Sequence, residues 1–348
     1  MRETPQSVIE YFGLREHPFA ATADPAYFYA ARQHKECLFR LWSNIDERQG
    51  IAVVLGHYGT GKTTLLRKLL SGMAADTEGY TTAVIGSPIP SWTSFSLLES
   101  IVSQFGLRPE RRSYVSHMEA LYAFLLRNRG RISTLIIDDA QNLNKRGQLE
   151  LLRLVQNLET PQHKLLNLVL LAQMEWVSVL RAVPNFEQRV GMTFRLGALA
   201  ESETRRLISF RLRQAGANGE GPVFDDAALK LIHSYADGSP RLIVSVCRNA
   251  LLLAAQIKTR RIGQAIILHT IQQTTLPDEE RQARVSQAIQ RGAPPAAPPR
   301  EEELDEQPAV RRSSRTHDQR ANELLTRAAK TTQQRARFPE IDEGQSAH

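Results

Sequence analysis

Between residues 51 and 200 the chain alternates short apolar runs with helical stretches. IAVVLG (51–56), TTAVIGS (81–87), TLIID (134–138) and LLNLVLLA (165–172) are strand-length and apolar almost throughout. Such runs suit strands covered on both faces of a parallel sheet. MTFRL (192–196) alternates instead, which predicts a fifth strand at an edge. TTLLRKLLSGM and GQLELLRLVQNLET lie between the runs and carry a helical pattern. Strand and helix in turn predict a doubly wound α/β domain over residues 51–200.

From about Ser202 only helical patterns follow. SETRRLISFRLRQAG closes on a glycine, and FDDAALKLIHSYADG has an acidic first turn. SPRLIVSVCRNALLLAAQ opens with Ser239 at the cap and Pro240 in the first turn. A small α-helical domain over 201–276 is expected. Residues 277–348 read as a tail: GAPPAAPPREEELDEQ (292–307) is a proline-rich acidic linker, and DQRANELLTRAAKTTQQRARF (318–338) is a charged segment whose composition favours disorder, with a solvated helix or a docking segment as alternatives. Residues 1–50 are polar-aromatic, with turn signals at Gly13, Pro18 and Asp24-Pro25.

Charge and cysteine content narrow the setting. The net charge is +7: residues 1–276 hold 32 basic against 24 acidic groups, or +8, and the tail is near −1. A basic folded part favours polyanions. Cys37 and Cys247 stand far apart and outside any metal-binding spacing, so two buried thiols are expected. No apolar run nears the ~20 residues of a membrane span, and MRETPQSVIEYFG lacks the order of a signal peptide. A cytoplasmic protein is expected.

The chemistry lies where IAVVLG runs into GHYGTGKTTLLRKLL. Gly56, Gly61, Lys62 and Thr63 fill G-x-x-x-x-G-K-[ST] between a strand and a helix, the context that makes the motif specific. The loop over Gly56, Gly59, Thr60, Gly61, Lys62, Thr63 and Thr64 is expected to hold ATP. Its backbone N–H groups surround the β-phosphate, and the following helix turns its positive end toward it. Lys62 would neutralise the β/γ oxygens, and Thr63 would ligate Mg2+. Asp138, ending the third strand, is the second candidate in the Mg2+ shell. Asp139 is the candidate to orient the attacking water, though a capping acid before AQNLN is an alternative.

With these residues in view, the chain resembles the ExeA/GspA-type AAA+ ATPases. YFGLREHPF, DPAYFYAARQHKECLFRL, GHYGTGKTT, LIIDDAQNL, NLET, KLLNLVLLAQ, FEQRV and YADGSPRLI carry the likeness, in order, over about residues 8–275. It implies an AAA+ P-loop NTPase with a five-stranded parallel sheet, an α-helical lid and, here, a mostly disordered tail. It further implies Gln173 as the polar sensor and Arg189 as an arginine finger acting on a neighbouring subunit, with Arg181 and Arg195 as rivals. Arg241 matches the second sensor, on the lid. Where the family usually has Glu, this chain has Asp139, so slow, partner-stimulated hydrolysis is expected.

The same module occurs in secretion proteins and in transposition regulators of the TniB/TnsC/MuB kind. Secretion members continue into a membrane helix and a wall-binding domain, whereas here a proline linker and charged tail follow residue 275. That contrast favours an oligomer on double-stranded DNA that recruits a transposase, with a targeting protein as a further partner. Arg111, Arg112, Lys145 and Arg146 are the candidate phosphate contacts, and Arg205, Arg206, Arg211 and Arg213 recur at helical spacing as a candidate basic face. The competing expectations are an assembly ATPase of a secretion or envelope machine, or a nucleotide-switched scaffold with negligible hydrolysis.

Overall fold

In the computed structural model, residues 7–22, 24–217, 223–274 and 278–290 are described, so the expectations for 292–307 and 318–338 lie outside the described residues. Ser7 opens the first helix, α1 (Val8–Phe12), with a reciprocal cap: its hydroxyl accepts from the Glu10 N–H, and the Glu10 carboxylate accepts from its own. A single 3-10 turn follows, and then α2 (Arg32–Asp46).

The sheet is built from β1 (Ile51–Gly56), β2 (Tyr80–Ile85), β3 (Ile132–Ile137), β4 (Asn167–Ala172) and β5 (Val190–Leu196), all parallel, in the order β2-β3-β4-β1-β5. Helices α3 (Lys62–Ala75), α4 (Ser94–Gln104), α5 (Tyr114–Arg127), α6 (Arg146–Gln156), α7 (Trp176–Arg181) and α8 (Pro184–Glu187) fill the connections. Every residue of β1 and β4 is buried, because both are interior strands covered on two faces. One set of alternate residues, Ile51, Val53, Leu135, Ile137, Leu168 and Leu170 among them, packs in a core with α4 to α8. The intervening set, Ala52, Val54, Ile136, Val169 and Leu171, is equally buried. β5 is an edge, as its alternation predicts. β2 is the other edge, and its first three residues are only half-buried despite their apolar reading.

Asn167 aligns the strand that leads to the phosphate loop. It is buried at 2% exposure; its Oδ1 accepts from the Gly50 N–H at 3.2 Å, and its Nδ2 donates to the Ile45 carbonyl at 2.9 Å. One side chain thus ties the end of α2 to the start of β1. Asn167→Ala leaves the Gly50 N–H without its partner and removes one of the two bonds of the Ile45 carbonyl, which keeps the Arg48 N–H; the cost is about 1–3 kcal/mol. Chemical denaturation should show the midpoint falling accordingly; an unchanged midpoint would refute the assignment.

By internal contacts the chain forms two compact units. One holds the sheet, over residues 36–57 and 65–196. The other joins the described residues up to Lys35, the stretch Tyr58–Thr64 and the described residues from Gly197 onward. Its helices are α9 (Glu201–Gln214), α10 (Asp226–Ala236), α11 (Pro240–Gln256), α12 (Gln264–Thr274) and α13 (Glu279–Gln290). Phe12, Phe19 and Tyr27 from the chain's start share its core with Ile208, Ile232, Val246 and Ile267. Expectation 1–50 therefore divides, its first part building the lid's core. Two further findings differ from a helix-only lid. Val223–Phe224 (β6) pairs in parallel with Arg261–Ile262 (β7), and α13 lies where the tail was expected to begin. Arg281 over the Tyr235 ring and Arg284 bonded to Asp237 hold α13 to α10 and to the turn after it. Ser239 precedes α11, yet its hydroxyl makes no capping bond. Both cysteines are buried free thiols, as expected.

Candidate nucleotide site

After β1 ends at Gly56, the loop His57–Gly61 leads into α3, whose first residue is Lys62. Gly59 and Gly61 adopt φ of +83° and +97°, conformations that glycine alone enters without strain. Gly61 belongs to the motif, whereas Gly59 has its own reason: a Cβ there would lie 2.7 Å from Ser239 Oγ and 3.0 Å from Arg241 Cβ. The loop and the first turn of α11 are in close approach. The Arg241 N–H donates to the Gly59 carbonyl at 3.3 Å. From the other side His34 Nε2 lies 3.1 Å from the Thr60 carbonyl. Burial pushes the His34 imidazole below its ordinary pKa, so at neutral pH it is uncharged and its Nε2–H can donate to that carbonyl. His34 escaped sequence reasoning, since a lone histidine before a strand carries no motif.

The carboxyl edge of the sheet holds the acids. Register places Ala172 beside Leu55 and Ile137 beside Leu170, so Gly56, Gln173 and Asp138 end three neighbouring strands at one edge. Strand spacing puts β3 about 10 Å from β1, with β4 and Gln173 between them. Asp138 is buried, and its Oδ1 accepts from the Asp139 N–H at 3.0 Å.

Asp139 has φ +52° and ψ +38°, the left-handed region, which Asp tolerates better than most side chains. Its carboxylate makes no capping bond to the 3-10 turn Ala140–Asn142, so the capping alternative falls. Gln141, which sequence reasoning missed, holds it instead. Gln141 Nε2 donates to Asp139 Oδ1 at 3.0 Å, and its Oε1 accepts from the Gln173 N–H at 3.1 Å. One amide therefore links the acid after β3 to the residue after β4.

Asp139→Asn preserves the turn, because Asn shares the left-handed preference, but it removes the charge. Phosphate release by this variant should fall about 100-fold or more with nucleotide affinity nearly kept, as loss of a water-orienting base predicts. Equal turnover in Asp139→Asn would remove the residue from the chemistry.

The arginines separate clearly. Arg189 is exposed and precedes Val190, which pairs with Ile51 at the amino end of β1. It therefore lies at the sheet edge opposite Gly56, Asp138 and Gln173, with its Nη1 donating to Asn157 Oδ1. Arg195 pairs with Leu55 at the carboxyl edge, and Arg181 ends α7. Arg241, in the first turn of α11, stacks over the Tyr58 ring.

Among the DNA candidates, Arg112 binds Glu99 at 2.8 Å and lies over Phe95, and Lys145 Nζ donates to the Ser91 carbonyl at 3.0 Å. Arg111 and Arg146 are exposed. The expected basic face on α9 does not form: Arg211 is buried against Tyr27 and donates to the Pro18 carbonyl, and Arg205 pairs with Glu201 and Asp226.

Residues 45–180 match the family model described as AAA domain. Over 250 residues the chain is 35% identical to General secretion pathway protein A of Aeromonas hydrophila, covering 70% of this chain and 44% of that protein. The chain carries an AAA domain of the GspA type. It spans less than half the length of that relative.

Solved structures of similar fold include the ORC2 protein of Aeropyrum pernix in ADPNP-ADP complexes, at 17% identity and TM-score 0.56 over 77% of this chain and 74% of that one. Cdc6p of Pyrobaculum aerophilum matches at 20% and 0.56 over 73% and 72%, and Drosophila ORC bound to DNA at 16% and 0.58 over 81% and 70%. At these identities the likeness is one of fold.

The residues of this AAA domain suit a nucleotide with a hard divalent cation. Gly59 and Gly61 turn the loop through positive φ, α3 starts at Lys62, and a hydroxyl such as that of Thr63 and a carboxylate such as that of Asp138 are the hard oxygen donors that Mg2+ takes. Among the described residues no helix is long and apolar enough to cross a membrane.

Proposed function

We propose that the chain binds ATP with Mg2+, hydrolyses it as an oligomer, and acts as the assembly ATPase of a secretion or envelope machine. Hydrolysis rests on one observation: the strand ends carrying Gly56, Gln173 and Asp138 lie side by side, with Asp139 steered by Gln141. In this reading the loop and Lys62 bind the phosphates, Thr63 and Asp138 hold the cation, and Asp139 turns the attacking water. The bound cation supplies charge neutralisation on the phosphates. The secretion role rests on the 35% identity to General secretion pathway protein A. That relationship moves the reading away from transposition, which the segment after residue 275 had favoured.

A DNA-loaded transposition regulator is the second reading, kept by the basic surplus of residues 1–276 and the exposed Arg111 and Arg146. It has lost ground, because Arg112 and Lys145 already bind partners within the chain. The discriminating experiment measures phosphate release and assembly size with ATP, with and without duplex DNA, at 50 and 200 mM salt. The secretion reading expects ATP-dependent assembly and turnover indifferent to DNA. Turnover that rises with DNA and falls steeply with salt would favour the transposition reading instead.

A further inference from the structure

The phosphate loop carries a side chain that the cradle does not explain. Tyr58, third residue of GHYGTGKT, is 66% exposed, an unusual place for a large ring. The guanidinium carbon of Arg241 lies 4.4 Å from the centroid of that ring. The backbones meet beside it, with the Arg241 N–H on the Gly59 carbonyl and no room for a Cβ at Gly59.

Arg241 occupies an electrostatically poor position. It stands in the first turn of α11, where the positive end of the helix disfavours a cation. A long exposed arginine there would also sample many rotamers. The face of an aromatic ring offsets the first problem and narrows the second, because its quadrupole attracts the guanidinium from one direction.

We propose that Tyr58 is a positioning residue that holds the Arg241 guanidinium over the phosphate loop. This rests on the reading above, in which the chain hydrolyses ATP, and on the resemblance that makes Arg241 the second sensor, a residue that would reach the γ-phosphate. The ring contributes its π face, and the hydroxyl plays no part. A cation–π contact at an exposed site corresponds to about a two- to fivefold effect on rate.

The test uses the full chain at saturating ATP in single turnover, with excess protein so that slow variants remain measurable, alongside nucleotide Kd. Tyr58→Leu should lower the rate about two- to fivefold with Kd near wild type, and Tyr58→Phe should recover it. In an Arg241→Ala background, Tyr58→Leu should have no further effect. An equal loss with and without Arg241 would assign Tyr58 to loop folding and overturn the proposal, as would a Tyr58→Leu rate at or above wild type. Failure of the underlying reading looks different: Arg241→Ala itself would then leave phosphate release unchanged.

Discussion

Lys62→Ala is expected to weaken ATP binding about 100-fold and to bring phosphate release to background. Lys62 is the first residue of α3, follows the left-handed Gly61, and is 8% exposed. An ammonium held there by the helix start meets phosphate as a point charge, and such charge-assisted bonds contribute about 1.5–3 kcal/mol each. Hydrolysis suffers further, because charge on the transferring group is what a nucleotidase site stabilises. Alanine is a better helix former than lysine, so α3 itself is kept. The check is thermal unfolding with and without ATP. Wild type should gain about 2.7 kcal/mol at a nucleotide concentration 100 times its Kd, and the variant far less at the same concentration. A variant stabilised as strongly as wild type would remove Lys62 from the site.

How much of this was legible in the sequence depends on the range of the forces involved. IAVVLG and NLVLLA announce interior strands because burial on both faces leaves no polar position, and both prove wholly buried. The phosphate loop is legible because its glycine requirement is local. TTAVI misleads for the same reason that IAVVLG does not: as an edge strand β2 is half-buried at its start, and sheet order is not written in any one run. β6 and β7 are two residues each, too short to show a period. In α13, proline and acid content around it hid a helix that Val285 and two arginines fasten to the lid. Ser239 makes no capping bond, and its hydroxyl lies beside Gly59, in a closeness no spacing rule reveals. Gln141 joins Asp139, in its left-handed turn, to the Gln173 N–H 32 positions further along the chain, a link that no local spacing reveals.

The position of Arg189 leads to the other large effect. It precedes β5 at the level of Ile51, and five residue steps of β1 separate that level from Gly56. At about 3.3 Å per residue the separation is roughly 17 Å, beyond the reach of an arginine side chain. Arg189 therefore has no route to the phosphates of its own loop, and a catalytic role requires a second copy of the chain. Arg189→Ala should bind ATP like wild type yet release phosphate about 1,000-fold more slowly, the scale of a finger supplied in trans. The mutation also removes the bond to Asn157, so a loss of stability is the competing explanation. Mixing separates the two. Arg189→Ala subunits keep the loop, and Lys62→Ala subunits keep the finger, so mixed assemblies contain interfaces with one intact site. Activity recovered on mixing two inactive proteins would establish sharing between subunits. Silence on mixing, with Arg195→Ala inactive and rescued in its place, would transfer the role to Arg195 at the carboxyl edge.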